Sequence, residues 1–398
     1  MVHLHRGRLF LFFTCVLTYA SIVIYVLLWV HLEDVFVPPT RRVTTGSLPR
    51  WYEANHRVMG RRTLSLWKSN EVAAAIAEHQ NPANCTSKPY MVLHHSPSGL
   101  GSLVHVATAF LALAWERDHV LVYAPDFASG WTDGAYCAGR HSLECFFQPL
   151  SRCAPGGVLP EGARAVDVGD GEDVVNRIPT TWHDAFQRDW EIRAALPGAD
   201  RDVGVKYWWR AQAAAYLLRL NVRTSNELTL RRRWLAEHAI VPLPLPANTF
   251  SCHVRHSDKG REMPLFDFVT YANAVHRQAD AHRILNPHVF VSTEDPKVVD
   301  DARMTFGTRA LVVPYERTNP PTLTAHMAGG ANETLHGLLN LWISLEATYF
   351  VGQLGSNWNR LVDELRRVWP GEHHDGCCTR YIEVGCGQPT CAVNTDNW

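Results

Sequence analysis

Residues 253–262 read HVRHSDKGRE and gather His253, Arg255, His256, Asp258, Lys259, Arg261 and Glu262 within ten positions. Only 19% of the chain is charged, so this cluster needs a reason. Arginine grips a phosphate through a planar fork of N–H donors, and lysine adds a point charge. His253 can donate to a phosphate or ribose oxygen. Of Asp258 and Glu262, one can take a proton from a hydroxyl while the other orients a cation. Together these groups could hold a diphosphate leaving group without metal. The same residue types also build strand-end ion pairs on a surface. Alternation along HVRHSD favours a site, because it sets His253, Arg255 and Ser257 on one face of a strand flanked by helices.

The elements around the cluster follow a regular order. YMVLHH reads as a strand, SPSGLGS as a turn, LVHVATAFLALAWERD as a helix and HVLVYAP as a strand, which makes a βαβ unit. Residues 130–205 are rich in breaks, and VKYWWRAQAAAYLLRLN then reads as a strong helix. From TFSCHVRH onward, four strand–helix units succeed one another: helices at 264–283, DPKVVDDARMTF, 331–347 and SNWNRLVDELRRVW alternate with the strands HVFVST, ALVVPY and TYFVGQL. Such alternation implies an α/β fold with a parallel sheet covered on both faces. Ligands of these sheets bind at the C-terminal strand ends. Three polar strand ends therefore converge: the cluster at 253–262, Thr293-Glu294-Asp295 and Gly355-Ser356-Asn357. The helix after Ser356 offers N–H groups and a hydroxyl to a phosphate. Glu294 and Asp295 in STEDP are also explained as a helix cap with proline at the first turn. Gly99 and Gly101 serve either a tight turn or close approach to a phosphate. Asp200-Arg201-Asp202 fits the DxD pattern of metal–nucleotide sites, but no apolar strand precedes it, and solvated loop charge is the better reading.

The 398 residues, 46% hydrophobic, are enough for two domains of ordinary size. A formal net charge of −1 gives no global field for nucleic acid. Residues 9–30 are uncharged, long enough for a membrane-spanning helix, and longer than the apolar core of a cleavable signal peptide. Arg6 and Arg8 before this stretch, with Glu33 and Asp34 after it, orient the N-terminus to the cytosol, although Arg41 and Arg42 weaken the bias. Cys15 lies in the span and nine cysteines lie beyond it, clustered at 137–153 and 377–391. That suits disulfides in an oxidising compartment, with connectivity open and one thiol left over. Asn84-Cys85-Thr86 and Asn332-Glu333-Thr334 are glycosylation sequons. The expected organisation is a cytosolic tail at 1–8, a signal anchor at 9–30, a stem at 31–85, an acceptor-side lobe at 86–205, a nucleotide-sugar-binding lobe at 206–370 and a cysteine-rich tail at 371–398.

HVRHSDK resembles the HVRRTDK motif of the α-1,6-fucosyltransferases, the core and nodulation fucosyltransferases. YWWRAQAAAYLLR is similar to their tryptophan helix, PSGLGSLVH to their glycine loop, VFVSTEDP to their TDDP strand, VGQLGSNWNRLVDEL to their last strand and helix, and ECFFQPLSRC to a short cysteine-bounded segment. The resemblance covers roughly residues 90–370. It implies two Rossmann-like lobes of GT-B type behind the transmembrane helix, GDP-fucose as donor, inversion at fucose and no metal or other cofactor. By position it implies that Arg255 neutralises the diphosphate, that Lys259 and Asp258 support phosphate and acceptor, and that Glu262 is the base, after a one-residue deletion. His253, Gly99, Gly101, His105, Tyr271, Asp295, Ser356 and Asn357 would face the donor. Asn340 or Leu341 stands where the family has a guanine-holding aspartate, which leaves the nucleotide less secure. His256 replaces a second arginine and removes a permanent charge. The family's coiled-coil stem and SH3-like domain have no counterpart, so the acceptor is open.

The resulting expectation is a Golgi type II glycosyltransferase that moves fucose from GDP-fucose to a glycan or glycoprotein, with the α-1,6 linkage to the N-glycan core one candidate and a homodimer left open. Two alternatives stand beside it. One is a related enzyme with another donor or a protein O-fucosyltransferase-like activity. The other is an inactive glycan-binding or scaffolding homologue.

Overall fold

The computed structural model describes residues 69–94, 98–167, 201–369 and 381–384. The first lobe holds a three-stranded parallel sheet in the order β2-β1-β3. It contains β1 (Tyr90–Leu93), α2 (Leu100–Glu116), β2 (Val120–Tyr123), the short α3 (Gly134–Cys137) and β3 (Ala165–Asp167). Helix α2 is apolar on nearly every side because it is covered all round: by its own sheet and by α4 (Arg201–Leu217) and α10 (Asn357–Val368).

Helix α1 (Ser69–Gln80) precedes this lobe and lies within the stretch read as stem. It belongs to the folded body, with Val72 and Ile76 in the core. Gln80 is fully buried. Its side-chain amide donates to the Leu121 carbonyl (2.9 Å) and its Oε1 accepts from the Leu121 N–H (3.0 Å). One glutamine thus acts as a further strand along the open edge of β2 and satisfies it.

The second lobe is a five-stranded, wholly parallel sheet in the order β6-β5-β4-β7-β8. After α4 and α5 (Val222–Glu237) come β4 (Phe250–Val254), α6 (Phe268–Ala281), β5 (Val289–Thr293), α7 (Pro296–Phe306), β6 (Ala310–Leu311), the short α8 (Leu323–Met327), α9 (Gly330–Ser344), β7 (Tyr349–Gly352), α10 and β8 (Tyr381–Glu383). β4 is central and every residue in it is buried. The chain winds outward through β5 and β6, then returns to the far side of β4 as β7. The winding reverses between β4 and β7, and a crevice opens there at the C-terminal strand ends. α10 then crosses back to pack on α2 and α4.

Several boundaries differ from the sequence pattern. β6 is two residues long, where ALVVPY suggested a longer strand; Arg317 Nη2 instead occupies the Val313 carbonyl (2.8 Å). α6 starts at Phe268, beyond Pro264. β4 stops at Val254, and residues 257–261 form a 3-10 turn entered through Ser257 at φ 57°. Ser257 therefore leaves the strand face assigned to it and donates its hydroxyl to the Pro320 carbonyl.

Two disulfides, Cys85–Cys153 and Cys137–Cys145, close loops in the first lobe, and Cys252 is a buried free thiol. The anchor at 9–30, the tail cysteines Cys377, Cys378, Cys386 and Cys391, and Asp200 lie outside the described residues. Among the described residues no helix is long and apolar enough to cross a membrane. Replacing Gln80 with alanine should cost about 2–4 kcal/mol in urea denaturation, since two buried backbone groups lose their partners.

Candidate active site

The crevice is a cleft whose enclosed part holds about 110 Å³. Its floor is made by the ends of β4 and β5, and its walls by the N-termini of α2, α9 and α10, with Trp131 from the first lobe. Of the residues singled out from the sequence, His253, Arg255, Gly99, Gly101, Asn340 and Asn357 line it.

Arg255 follows the last residue of β4, with its side chain 11% exposed. Nη1 donates to Glu294 Oε1 (2.6 Å) and Nη2 to Asp258. The same Glu294 oxygen accepts the His256 N–H (2.8 Å). The register explains the meeting: Val254 pairs with Thr293, so the next residues of β4 and β5 stand side by side. The capping role read for both acids belongs to Asp295 alone, whose Oδ1 accepts the Lys297 N–H (2.9 Å). The sequence places Glu294 at this strand end but does not show that it holds Arg255. Only strand pairing could reveal it.

His253 is buried, and Nδ1 lies 2.5 Å from Asn359 Oδ1. The Asn359 amide is oriented by its own donation to the Gln353 carbonyl (2.9 Å), so the histidine must supply the proton. Burial lowers the His253 pKa to about 4, against the pull of Glu294 and Asn359. The ring is therefore neutral with its proton on Nδ1. Nε2 is an acceptor that suits a hydroxyl, so His253 does not donate to a phosphate or ribose oxygen as the sequence suggests. Gly352 is needed for this arrangement, because a Cβ there would come within 2.9 Å of Asn359.

His256 supplies a second positive group beside Arg255. Nδ1 lies 2.8 Å from Asp295 Oδ2 and Nε2 lies 3.0 Å from the Phe266 carbonyl. Both neighbours are acceptors, so only the doubly protonated ring satisfies both. Burial opposes that charge, but the bonds to Asp295 and Phe266 and the nearby carboxylates outweigh it and raise the pKa.

Other expected residues have different places. Glu262 is 59% exposed, pairs with Lys259 and stays outside the cleft lining. Tyr271 is fully buried and donates to Gln353 Oε1 (2.9 Å). His105 holds the lobes together: Nε2 meets Glu364 Oε2 (3.0 Å) and Nδ1 meets Asn357 Oδ1 (3.2 Å). Asn357 Nδ2 in turn donates to Ser102 Oγ (2.7 Å). Ser356 caps α10 by position, buried behind the lining. Gly101 is required because a Cβ would sit 2.9 Å from the Trp358 nitrogen, where α2 and α10 begin against each other. Gly99 has open space around it and an ordinary φ of −61°. Asn340 donates to the His336 carbonyl (2.8 Å), and its buried Oδ1 has no hydrogen-bond partner among the described residues.

Asn84 forms a turn in which Oδ1 accepts from the Thr86 N–H (3.0 Å) and hydroxyl (2.9 Å), and Asn332 is exposed on the first turn of α9. Among the described residues no group of three His, Cys, Asp or Glu is placed to hold a metal.

No protein-family model and no curated protein sequence matches the chain. Solved structures similar to it include the fucosyltransferase NodZ from Bradyrhizobium (16% identity, TM-score 0.38, covering 70% of this chain and 93% of that one). Others are an Arabidopsis thaliana FUT1 mutant in complex with GDP (12%, 0.35, 79% and 76%) and POFUT1 in complex with GDP (13%, 0.37, 76–77% of this chain across its forms and 100% of that one). At these scores the likeness carries no functional weight, which rests on the site's own residues.

The His256 contact should give a pH-dependent stability. Its contribution is present in full below the ordinary histidine value of about 6.5 and fades as pH rises through the raised folded value. Denaturation of wild type and His256→Gln should therefore differ most below about pH 6.5 and converge at alkaline pH.

Proposed function

We propose that the protein is a glycosyltransferase that moves fucose from GDP-fucose to a hydroxyl of a glycan or glycoprotein by one inverting displacement. The observation that carries this reading is Arg255: a nearly buried guanidinium, fixed at the end of a central parallel strand, facing the cleft where the winding reverses. Its Nε–H and the second hydrogens of its fork have no partner among the described residues and are open to a diphosphate. The motif around it resembles the fucosyltransferase pattern.

The cleft is not strongly positive, because Glu294 and Asp258 offset Arg255. Anion affinity then depends on directed donors: the guanidinium fork and the N–H groups at the starts of α2 and α10. His253 Nε2 suits a ribose hydroxyl. Asn340 Oδ1, without a hydrogen-bond partner among the described residues, suits an N–H of the nucleotide base and supports guanine, which carries adjacent N–H donors. Chemistry in such a cleft is electrostatic: preorganised donors meet the charge that grows on the departing diphosphate. Asp258 supports that end of the site through Arg255, and Lys259, outside the lining and paired with Glu262, does not.

The reading includes a Golgi location, with residues 9–30 as anchor, the catalytic lobes in the lumen and sugars on Asn84 and Asn332. A related donor, or a protein hydroxyl as acceptor, is the second reading; for the donor it rests on Asn340 or Leu341 standing where the resemblance has an aspartate.

A mass-spectrometric screen of GDP-sugars against N-glycan and peptide acceptors should show fucose transfer. Transfer from another nucleotide sugar would favour the second reading, and GDP binding without turnover would favour the inactive one. Arg255→Lys keeps the charge and loses the fork, and should lower kcat/KM by about 10²-fold. Arg255→Ala should abolish transfer and also lower stability, since it leaves two carboxylates uncompensated. Activity should persist in EDTA; loss restored by manganese would revive the DxD site.

A further inference from the structure

The cleft contains a carboxylate that enters the sequence motifs only as the middle residue of the Asn332-Glu333-Thr334 sequon. Glu333 lies in the first turn of α9 and lines the same cavity as Arg255, Glu294 and His326. That turn is pinned to the first lobe. The Ala331 N–H donates to Asp133 Oδ2 (3.1 Å) and the Thr334 hydroxyl to the Trp131 carbonyl (2.8 Å). Glu333 therefore stands where the lobes meet, on the wall of the cleft that also holds Arg255. The other carboxylate lining the cleft, Glu294, is committed to Arg255 and the His256 N–H, and Asp258, outside the lining, is committed to Arg255. The Glu333 carboxylate has no hydrogen-bond or ion-pair partner among the described residues.

We propose that Glu333 is the base that takes the proton from the acceptor hydroxyl. The assignment rests on the nucleotide-sugar reading above. In the step, the acceptor oxygen forms a bond to the anomeric carbon. The bond from that carbon to the β-phosphate oxygen breaks, and its electron pair leaves with the diphosphate. The hydroxyl proton ends on a Glu333 carboxylate oxygen. The cleft loses one negative charge at Glu333 as the diphosphate gains one, so proton uptake itself favours departure.

The surroundings suit that role. Burial, then the charge of Glu294, push the Glu333 pKa up, while Arg317 and Arg255 pull against them. The other titratable groups around this turn are Asp133, Arg231, which donates to Asn332 Oδ1 (3.3 Å), and His326 and Tyr315, which line the same cavity. A carboxyl raised toward the working pH is a better base. His326 is a poorer one, because burial and then the charge of Arg255 resist its protonation. Glu262, the base implied by the resemblance, lies outside the wall and is held by Lys259.

The test uses the full chain with Glu333→Gln, Glu333→Asp, Glu333→Ala, Glu262→Gln and His326→Gln, measuring GDP affinity by calorimetry and the pH profile of sugar transfer. Thermal melts show whether each variant folds. In Glu333→Gln, GDP affinity should stay within about threefold of wild type. Its kcat should fall by about 10²–10⁴-fold, and the rise of kcat/KM with pH should vanish. Glu333→Asp, with its shorter reach, should lower kcat with GDP affinity kept. Formate should restore part of the turnover of Glu333→Ala. The assignment is overturned if Glu333→Gln keeps the rising limb and turnover within about threefold of wild type. It is equally overturned if Glu262→Gln or His326→Gln is the variant that removes the limb. A wild-type chain that binds no GDP and transfers no sugar overturns the reading beneath it, and the assignment too. Normal transfer by both wild type and Glu333→Gln overturns the assignment alone.

Discussion

The site depends on keeping one guanidinium charged in a place with little water. An arginine beside a central strand end loses most of its hydration, and a buried charge survives only when it is paired and hydrogen-bonded. Glu294 supplies that pairing from the neighbouring strand, and Asp258 supplies it from the turn that follows β4. Glu294 also takes the His256 N–H, which fixes the path of the backbone as it leaves the sheet. His256 and Asp295 repeat the pattern one residue further along, with an imidazolium in place of a guanidinium. Two parallel strand ends are thus tied by two adjacent acid–base pairs. The fork of Arg255 is held ready before a ligand arrives, so less ordering is left to be done on binding.

A second constraint is that the cleft has walls from both lobes and needs them in register. The hydrogen-bonded chain from Ser102 and Asn357 at the cleft wall through His105 to buried Glu364 joins the start of α2 to α10. Asp133 accepts N–H groups from two helices, Tyr136 in the first lobe and Ala331 in the second. These are hydrogen bonds between groups far apart in sequence, and they set where Trp131, Glu333 and Asn340 stand relative to Arg255. The departure at position 256 belongs to the same logic. A histidine between two acceptors recovers a positive charge, but one that depends on pH, where arginine's would be permanent.

Much of the architecture was legible in the sequence because it follows from local periodicity. The βαβ order, the parallel second lobe and the cluster at the end of β4 all came from alternation and helical spacing, which need no knowledge of distant contacts. The helix 69–80 was misread as stem for the same reason: its link to β2 runs through Gln80, and nothing in the local pattern announces a side chain that completes a sheet edge. Tyr271 and His105 were read toward the donor by position in a motif, yet their partners, Gln353 and Glu364, turn them into the interior.

The sequence by itself determined which elements form and which strand end carries the cations, since both depend on neighbouring residues. Only the tertiary structure decided which carboxylate holds Arg255, which nitrogen of His253 carries the proton and which acids reach the cleft. Those outcomes turn on strand register, burial and helix crossings, and these bring together residues 39 to 259 positions apart.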